Sequence, residues 1–203
     1  MAESEENAPP VNVDDDDVDT TPGYKPPAEK SMDAMLQQDT EDESLQKYKA
    51  QLLGSAANAP TVFWPEDPRK VIVKSISLVV EGRADAILDL TGDLASLKEQ
   101  SFSIKEGTSY RLKIHFCVQR EIVTGLKLVL KTSRKGIKVD TTTHMVGSYG
   151  PKEEAHSYQT PVDEAPSGMI MRGAYKMACC FTDDDKHKYL EWNLTLHIKK
   201  DWE

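Results

Sequence analysis

No apolar run in this sequence approaches 18 residues, so nothing in it reads as a membrane-spanning helix. The N-terminus carries no basic segment followed by an apolar core, so no signal peptide is expected. Cysteine is scarce. Cys117, Cys179 and Cys180 are odd in number, two are adjacent, and no C-x-x-C spacing occurs. That excludes a disulfide framework and points to reduced thiols in a cytoplasmic chain. Hydrophobic residues make up 38% of the 203, too few for a chain that is globular throughout.

Catalytic signatures are missing as well. Gly147-Ser148-Tyr149-Gly150 is not a nucleophile elbow, because the serine directly follows the first glycine. His115 and His197 fall on polar faces of expected strands, and His144, His156 and His187 fall near strand ends. No histidine pair has metal-binding spacing, and no glycine-rich phosphate loop occurs. Asp14 to Asp17 does not open a calcium loop, since Asp19 and Lys25 stand where glycine and glutamate are required. Asp183 to Asp185 with His187 reads as a polar turn rather than a metal site. Asn193-Leu194-Thr195 is a formal glycosylation sequon inside an expected strand and is taken as accidental. An enzyme is not expected, nor is a cofactor or a metal.

What is present is unevenly distributed. Residues 1–66 hold 15 acidic and 4 basic residues, whereas residues 67–203 hold 19 and 21. An acidic first third cannot bury enough apolar surface to offset its chain entropy. The charge disfavours nucleic acid and suits a basic protein segment. Four segments are expected: a disordered acidic tail over 1–23, a helical arm over 24–58, a linker over 59–69 and a folded domain over 70–203. In the arm, Ser31 can cap a helix bearing Met32, Met35 and Leu36. Thr40 and Glu43 have the spacing of a capping box opening a second helix with Leu45, Tyr48 and Leu52, closed by Gly54. Each is short enough to be marginal alone and is expected to order fully on a partner. In the linker, Phe63 and Trp64 are apolar and are candidates for pinning it to the domain.

The domain reads as all-β. Strands are expected near 71–81, 85–90, 101–105, 109–119, 122–133, 142–149, 156–160, 169–182 and 188–199, with one short helical candidate at 93–99. Many short strands separated by turn signals indicate an immunoglobulin-like sandwich. From Phe102 and Ile104, then Tyr110 through Val118, apolar residues fall two apart, and Leu126, Leu128 and Leu130 continue the pattern. This stretch is expected to form a hairpin with one apolar face that a second sheet covers. Leu190 to Ile198 alternates in the same way.

Several blocks resemble Rho GDP-dissociation inhibitors: Tyr24-Lys25-Pro26-Pro27, Glu41 to Leu45 with Lys47-Tyr48-Lys49, Asp89 to Leu94, and Val146 to Pro151. Thr160-Pro161-Val162, Glu164-Ala165-Pro166, Phe181 to Lys186 and Ile198 to Trp202 add to them. The resemblance covers residues 24–203 in order. It implies a regulator and chaperone of prenylated Rho- or Rac-type small GTPases that forms a one-to-one heterodimer. The arm would slow GDP release through Met32, Asp42, Ser44, Leu45, Tyr48 and Leu52. The sandwich would sequester a geranylgeranyl chain with Leu78, Phe102, Tyr110, Ile122, Met177, Trp192 and Leu194. Glu153, Glu154, Asp163, Glu164, Asp183, Asp184 and Asp185 would receive the basic tail before the prenylated cysteine. The GTPase would leave the membrane without stable insertion of this chain. The sequence departs from the family pattern in having Leu194 where a second tryptophan is common. Its Phe63-Trp64 linker is atypical, and residues 81–86 lack the usual proline-containing turn.

Overall fold

The computed structural model describes residues 42–53, 61–92 and 101–202. It has one helix in these residues, α1 (Glu43–Leu53), and ten strands. The strands are β1 (Val71–Val79), β2 (Ala86–Asp89), β3 (Ser101–Lys105), β4 (Ser109–Val118) and β5 (Val123–Arg134). They continue with β6 (Ile137–Tyr149), β7 (Lys152–Gln159), β8 (Asp163–Glu164), β9 (Gly173–Thr182) and β10 (Lys188–Lys199). One sheet runs β2-β1-β4-β7, with β8 added to the start of β4, and the other runs β3-β10-β9-β5-β6. Among the described residues, only β3 and β10 pair in parallel. The two sheets face each other as the expected all-β sandwich. The 93–99 helical candidate lies outside the described residues.

Alternation explains the core. On β4, Tyr110, Leu112, Ile114, Phe116 and Val118 are buried, and on β10 so are Trp192, Leu194, Leu196 and Ile198. These two rows belong to opposite sheets and share one core with Ile76, Leu78, Phe102, Leu128, Met177 and Phe181. Phe116 anchors one end of it, with its ring centroid 5.0 Å from Tyr149 and 5.1 Å from Phe181.

The expected hairpin is not formed. β3, β4 and β5 do not pair with one another: β4 pairs with β1 and β7, and β5 with β6 and β9. A hairpin would leave both apolar rows facing the same way. The chain instead crosses from one sheet to the other at residues 119–122, so the rows face each other. Arg120 makes this corner at φ 75. Gln119 is fully buried there and holds the preceding segment: its Nε2 donates to the carbonyls of Asp67 (2.9 Å) and Arg69 (2.8 Å), and its Oε1 accepts the Trp64 N–H (3.0 Å). Arg120 donates to the Asp67 carbonyl (2.8 Å), and Lys74 sits over the Trp64 ring (4.7 Å). The segment bearing Phe63 and Trp64 is thus bound to the corner.

Three boundaries also differ from expectation. β6 begins at Ile137 rather than at 142, because Lys135 (φ 49) and Gly136 (φ 78) make a two-residue turn of the type I′ kind that feeds directly into pairing. β7 begins at Lys152, directly after Pro151, through pairing of Lys152 with Val118. β9 begins at Gly173 rather than at 169, because residues 168–171 form a turn closed by the Met171 N–H on the Gly168 carbonyl (2.9 Å).

Candidate binding cleft and helical arm

A cleft of about 430 Å³ opens between the sheets at the end where β4 begins. Tyr110 and Leu112 line it from one sheet, and Leu130, Thr132 and Met177 from the other. Asp140, Thr142 and His144 line it from β6, and residues 160–163 complete it. Its volume falls within the roughly 300–1,000 Å³ of small-ligand pockets. Tyr110, Leu112, Leu130 and Met177 also belong to the sandwich core, so the apolar part of the cleft wall is continuous with the core. The rim is polar. The Tyr110 hydroxyl donates to Asp163 Oδ2 (2.9 Å), and burial together with the Asp163 carboxylate raises the phenol well above its usual range. Burial lowers the His144 imidazole, opposed by Asp163.

Of the residues assigned to a lipid pocket, Tyr110 and Met177 line this cleft. Leu78, Phe102, Trp192 and Leu194 lie deeper, in the same core cluster. Ile122 does not join them. It sits in the β4–β5 corner, at the opposite end of β4 from Tyr110, and does not line the cleft. Sequence reasoning missed Leu112 and Leu130, although both stood in the alternating rows, and missed Asp140, Thr142 and His144. These three share one face of β6 by their spacing of two. Starting β6 at 142 hid that pattern.

The carboxylates assigned to a basic tail divide. Glu153 and Glu154 on β7, and Asp163 and Glu164 on β8, are exposed on strands that both pair with β4. Asp184 is exposed and forms an ion pair with Lys127 (2.6 Å). Asp183 is only 4% exposed and is fully engaged inside its turn, so it offers no carboxylate to an outside ligand. Its Oδ1 accepts the His187 N–H (2.9 Å), and its Oδ2 accepts the Tyr189 hydroxyl (2.6 Å). Burial first, then the hydrogen bond to Asp183, raises the Tyr189 phenol far above its usual range.

In the arm, Asp42 caps α1. Its Oδ1 accepts the N–H groups of Ser44 (2.8 Å) and Leu45 (3.1 Å), two donors that a helix start leaves unpaired. Thr40 is therefore not the cap: Glu43 is the first helical residue, and Thr40 and Gly54 lie outside the described residues. Leu45 and Tyr48 are 41% and 47% exposed, an unusual display of apolar surface on a short helix. Leu52 lies in the last turn of α1, and Met32 with its expected helix lies outside the described residues. Among the described residues there is no group of three or more metal-ligating side chains, and no helix is long and apolar enough to cross a membrane.

The family model described as RHO protein GDP dissociation inhibitor matches residues 10–201. Rho GDP-dissociation inhibitor 1 of Homo sapiens is 47% identical over 206 residues, spanning 100% of this chain and 99% of that one. Rho GDP-dissociation inhibitor 3 of Homo sapiens is 44% identical over 97% of this chain and 86% of its own. A probable rho GDP-dissociation inhibitor of Caenorhabditis elegans is 47% identical over 88% and 92%. Among solved structures, a Niemann-Pick type C2 protein from Japanese carpenter ant superposes with a TM-score of 0.41 at 10% identity, over 66% of this chain and 97% of that one, too loosely to bear on function.

Proposed function

This chain belongs to the Rho GDP-dissociation inhibitor family, and from that premise we propose that it binds prenylated, GDP-bound Rho- or Rac-type GTPases one to one. In this reading it slows loss of GDP, takes the geranylgeranyl chain between its sheets and holds the GTPase in the cytoplasm. The observation that carries the reading is the cleft whose walls are already core: Leu112, Leu130 and Met177 continue inward to Leu78, Phe102, Trp192 and Leu194. A twenty-carbon chain leaving a bilayer forfeits at most roughly 16 kcal/mol, at about 0.8 kcal/mol per CH₂. A surface groove cannot offset that, whereas an apolar interior entered by parting two sheets can.

The remaining residues take complementary roles. Leu45 and Tyr48 present the apolar face of the arm to the GTPase, with Asp42 and Ser44 as its polar contacts; the family resemblance adds Met32 and Leu52 to the same contact. Glu153, Glu154, Asp163, Glu164, Asp184 and Asp185 receive the basic tail leading to the lipid. A regulator of this kind needs no catalytic group.

The test is GDP release from a Rho-type GTPase, prenylated and unprenylated, and its extraction from vesicles. Slowed release, with much tighter binding of the prenylated form, is expected. Thr142→Trp, which fills the cleft from the edge strand β6, should weaken extraction and leave affinity for the unprenylated form unchanged. Extraction at wild-type affinity by that variant would put the lipid elsewhere. Tight binding without any effect on GDP release would leave a lipid carrier and remove the arm from the mechanism.

A further inference from the structure

The turn at residues 168–171 is built against the usual rule. Its central positions, where small or polar residues normally stand, are Met169 and Ile170, 81% and 82% exposed. The turn is nevertheless firmly held. Glu106 accepts the Gly168 N–H (2.8 Å) and pairs with Arg172 (2.6 Å). Arg134 donates to the carbonyls of Ile170 (2.5 Å) and Arg172 (2.7 Å), and the Tyr175 hydroxyl donates to the Met171 carbonyl (2.8 Å). Four side chains thus brace a turn that projects two large apolar residues into solvent.

A second apolar tip stands beside it. Arg134 pairs across its hairpin with Ile137, so the side chain that holds the first turn belongs to the second. Ile137 and Val139 are both exposed. The next residue, Asp140, lines the cleft, so this tip adjoins the cleft rim along β6.

Basic residues predominate in the two segments that carry the tips. Residues 131–139 and 168–176 hold six Lys and Arg and no Asp or Glu, in a chain of net charge −9. Arg172 pairs with Glu106. Projecting apolar side chains in a basic surround are the chemistry of a surface that dips into the boundary of an anionic bilayer.

We infer that the paired tips, Met169-Ile170 and Ile137-Val139, dock the sandwich on an anionic phospholipid surface and so set the cleft mouth at the membrane from which it draws its cargo. A docked mouth receives a prenyl chain at the interface, without that chain first crossing water. The inference rests on the reading that the cargo is prenylated and membrane-borne. The docking is transient, since four apolar side chains and a few basic ones hold the protein only weakly.

The test uses the full chain with no GTPase, sedimented with vesicles of phosphatidylcholine alone or with phosphatidylserine. Binding is expected to the phosphatidylserine vesicles and to fall with added salt. Met169→Ser with Ile170→Ser should weaken it by about tenfold or more, from the apolar area withdrawn. Both side chains are exposed, so the fold is retained, and an unchanged urea midpoint checks this. The same double variant should extract a prenylated Rho-type GTPase from those vesicles more slowly, while its inhibition of GDP release from the unprenylated GTPase stays unchanged. Equal vesicle binding by wild type and variant, or none by wild type, would overturn the inference. Loss of GDP-release inhibition would do so too, by making the tips a protein contact. If the wild type fails to extract the GTPase, the proposed function falls, and vesicle sedimentation still judges the tips by themselves.

Discussion

At the scale of single residues, the Asp183 turn shows how a polar run acquires a structural role. Three consecutive aspartates in a turn read as a solvated surface, and two of them behave partly in that way. Asp183 does not, because Tyr189 and His187 fold back on it from the start of β10. Nothing in the sequence marks that return: the partners are four and six residues on, and Lys186, in the turn before them, takes a left-handed conformation (φ 66). Tyr189→Phe removes the donor from a buried carboxylate and should destabilise the domain by about 1.5–3 kcal/mol, the range for a hydrogen bond to a charged group. Urea unfolding checks it, and a midpoint equal to wild type would show that the carboxylate finds another donor at no cost.

At the scale of elements, the strands were legible in the sequence and their partners were not. A period of two assigns residues to faces, so the rows on β4, β5 and β10 could be read directly. The same period is silent on which sheet a strand joins. That choice was made at the corner of residues 119–122, by Gln119 and Arg120 binding carbonyls of residues more than 50 positions earlier. The arm poses a sharper question, because Asp42 is both the cap of α1 and a candidate contact to the GTPase. Asp42→Ala should lose about 1 kcal/mol of helix stability, whereas Asp42→Asn keeps the cap, since asparagine serves there equally well. If both variants weaken inhibition of GDP release, the charge is what the GTPase reads. If only Asp42→Ala does, the residue acts by ordering the helix. On β5, Gly125 (φ 65) packs so closely on Asp184 that an added Cβ would collide with its carboxylate. Gly125→Ala should therefore destabilise by about 1–3 kcal/mol and break the Lys127–Asp184 pair. Adding Asp184→Ala should recover only the part due to the collision, leaving the backbone strain, as urea unfolding of both variants would read.

At the scale of the whole molecule, histidines distributed over both sheets tie stability to pH in one direction. Burial lowers the imidazoles of His115, His144 and His156. His156 is the most enclosed by aromatic neighbours: it lies 4.7 Å from Tyr149 and 5.5 Å from Phe116 between ring centroids, with Nε2–H donating to the Gly150 carbonyl (3.0 Å). A lowered imidazole is neutral in the fold and takes up its proton more readily in the unfolded chain. Its contribution is therefore fully present above the unfolded value of about 6.5, and it is lost as pH falls through the lower folded value. Carboxylates act further down. Hydrogen bonds from Arg69, Thr91 and Arg172 lower Asp67, Asp89 and Glu106, so their contributions persist above about 4 and vanish only below it. The urea midpoint should accordingly begin to fall below about pH 6.5 and fall again below about pH 4. His156→Gln, which can retain a donor to Gly150 without titrating, should flatten the first fall and leave the second intact. A first fall of unchanged slope in that variant would assign the upper window to His115 and His144. No first fall in the wild type would mean that the unfolded chain holds these imidazoles as low as the fold does.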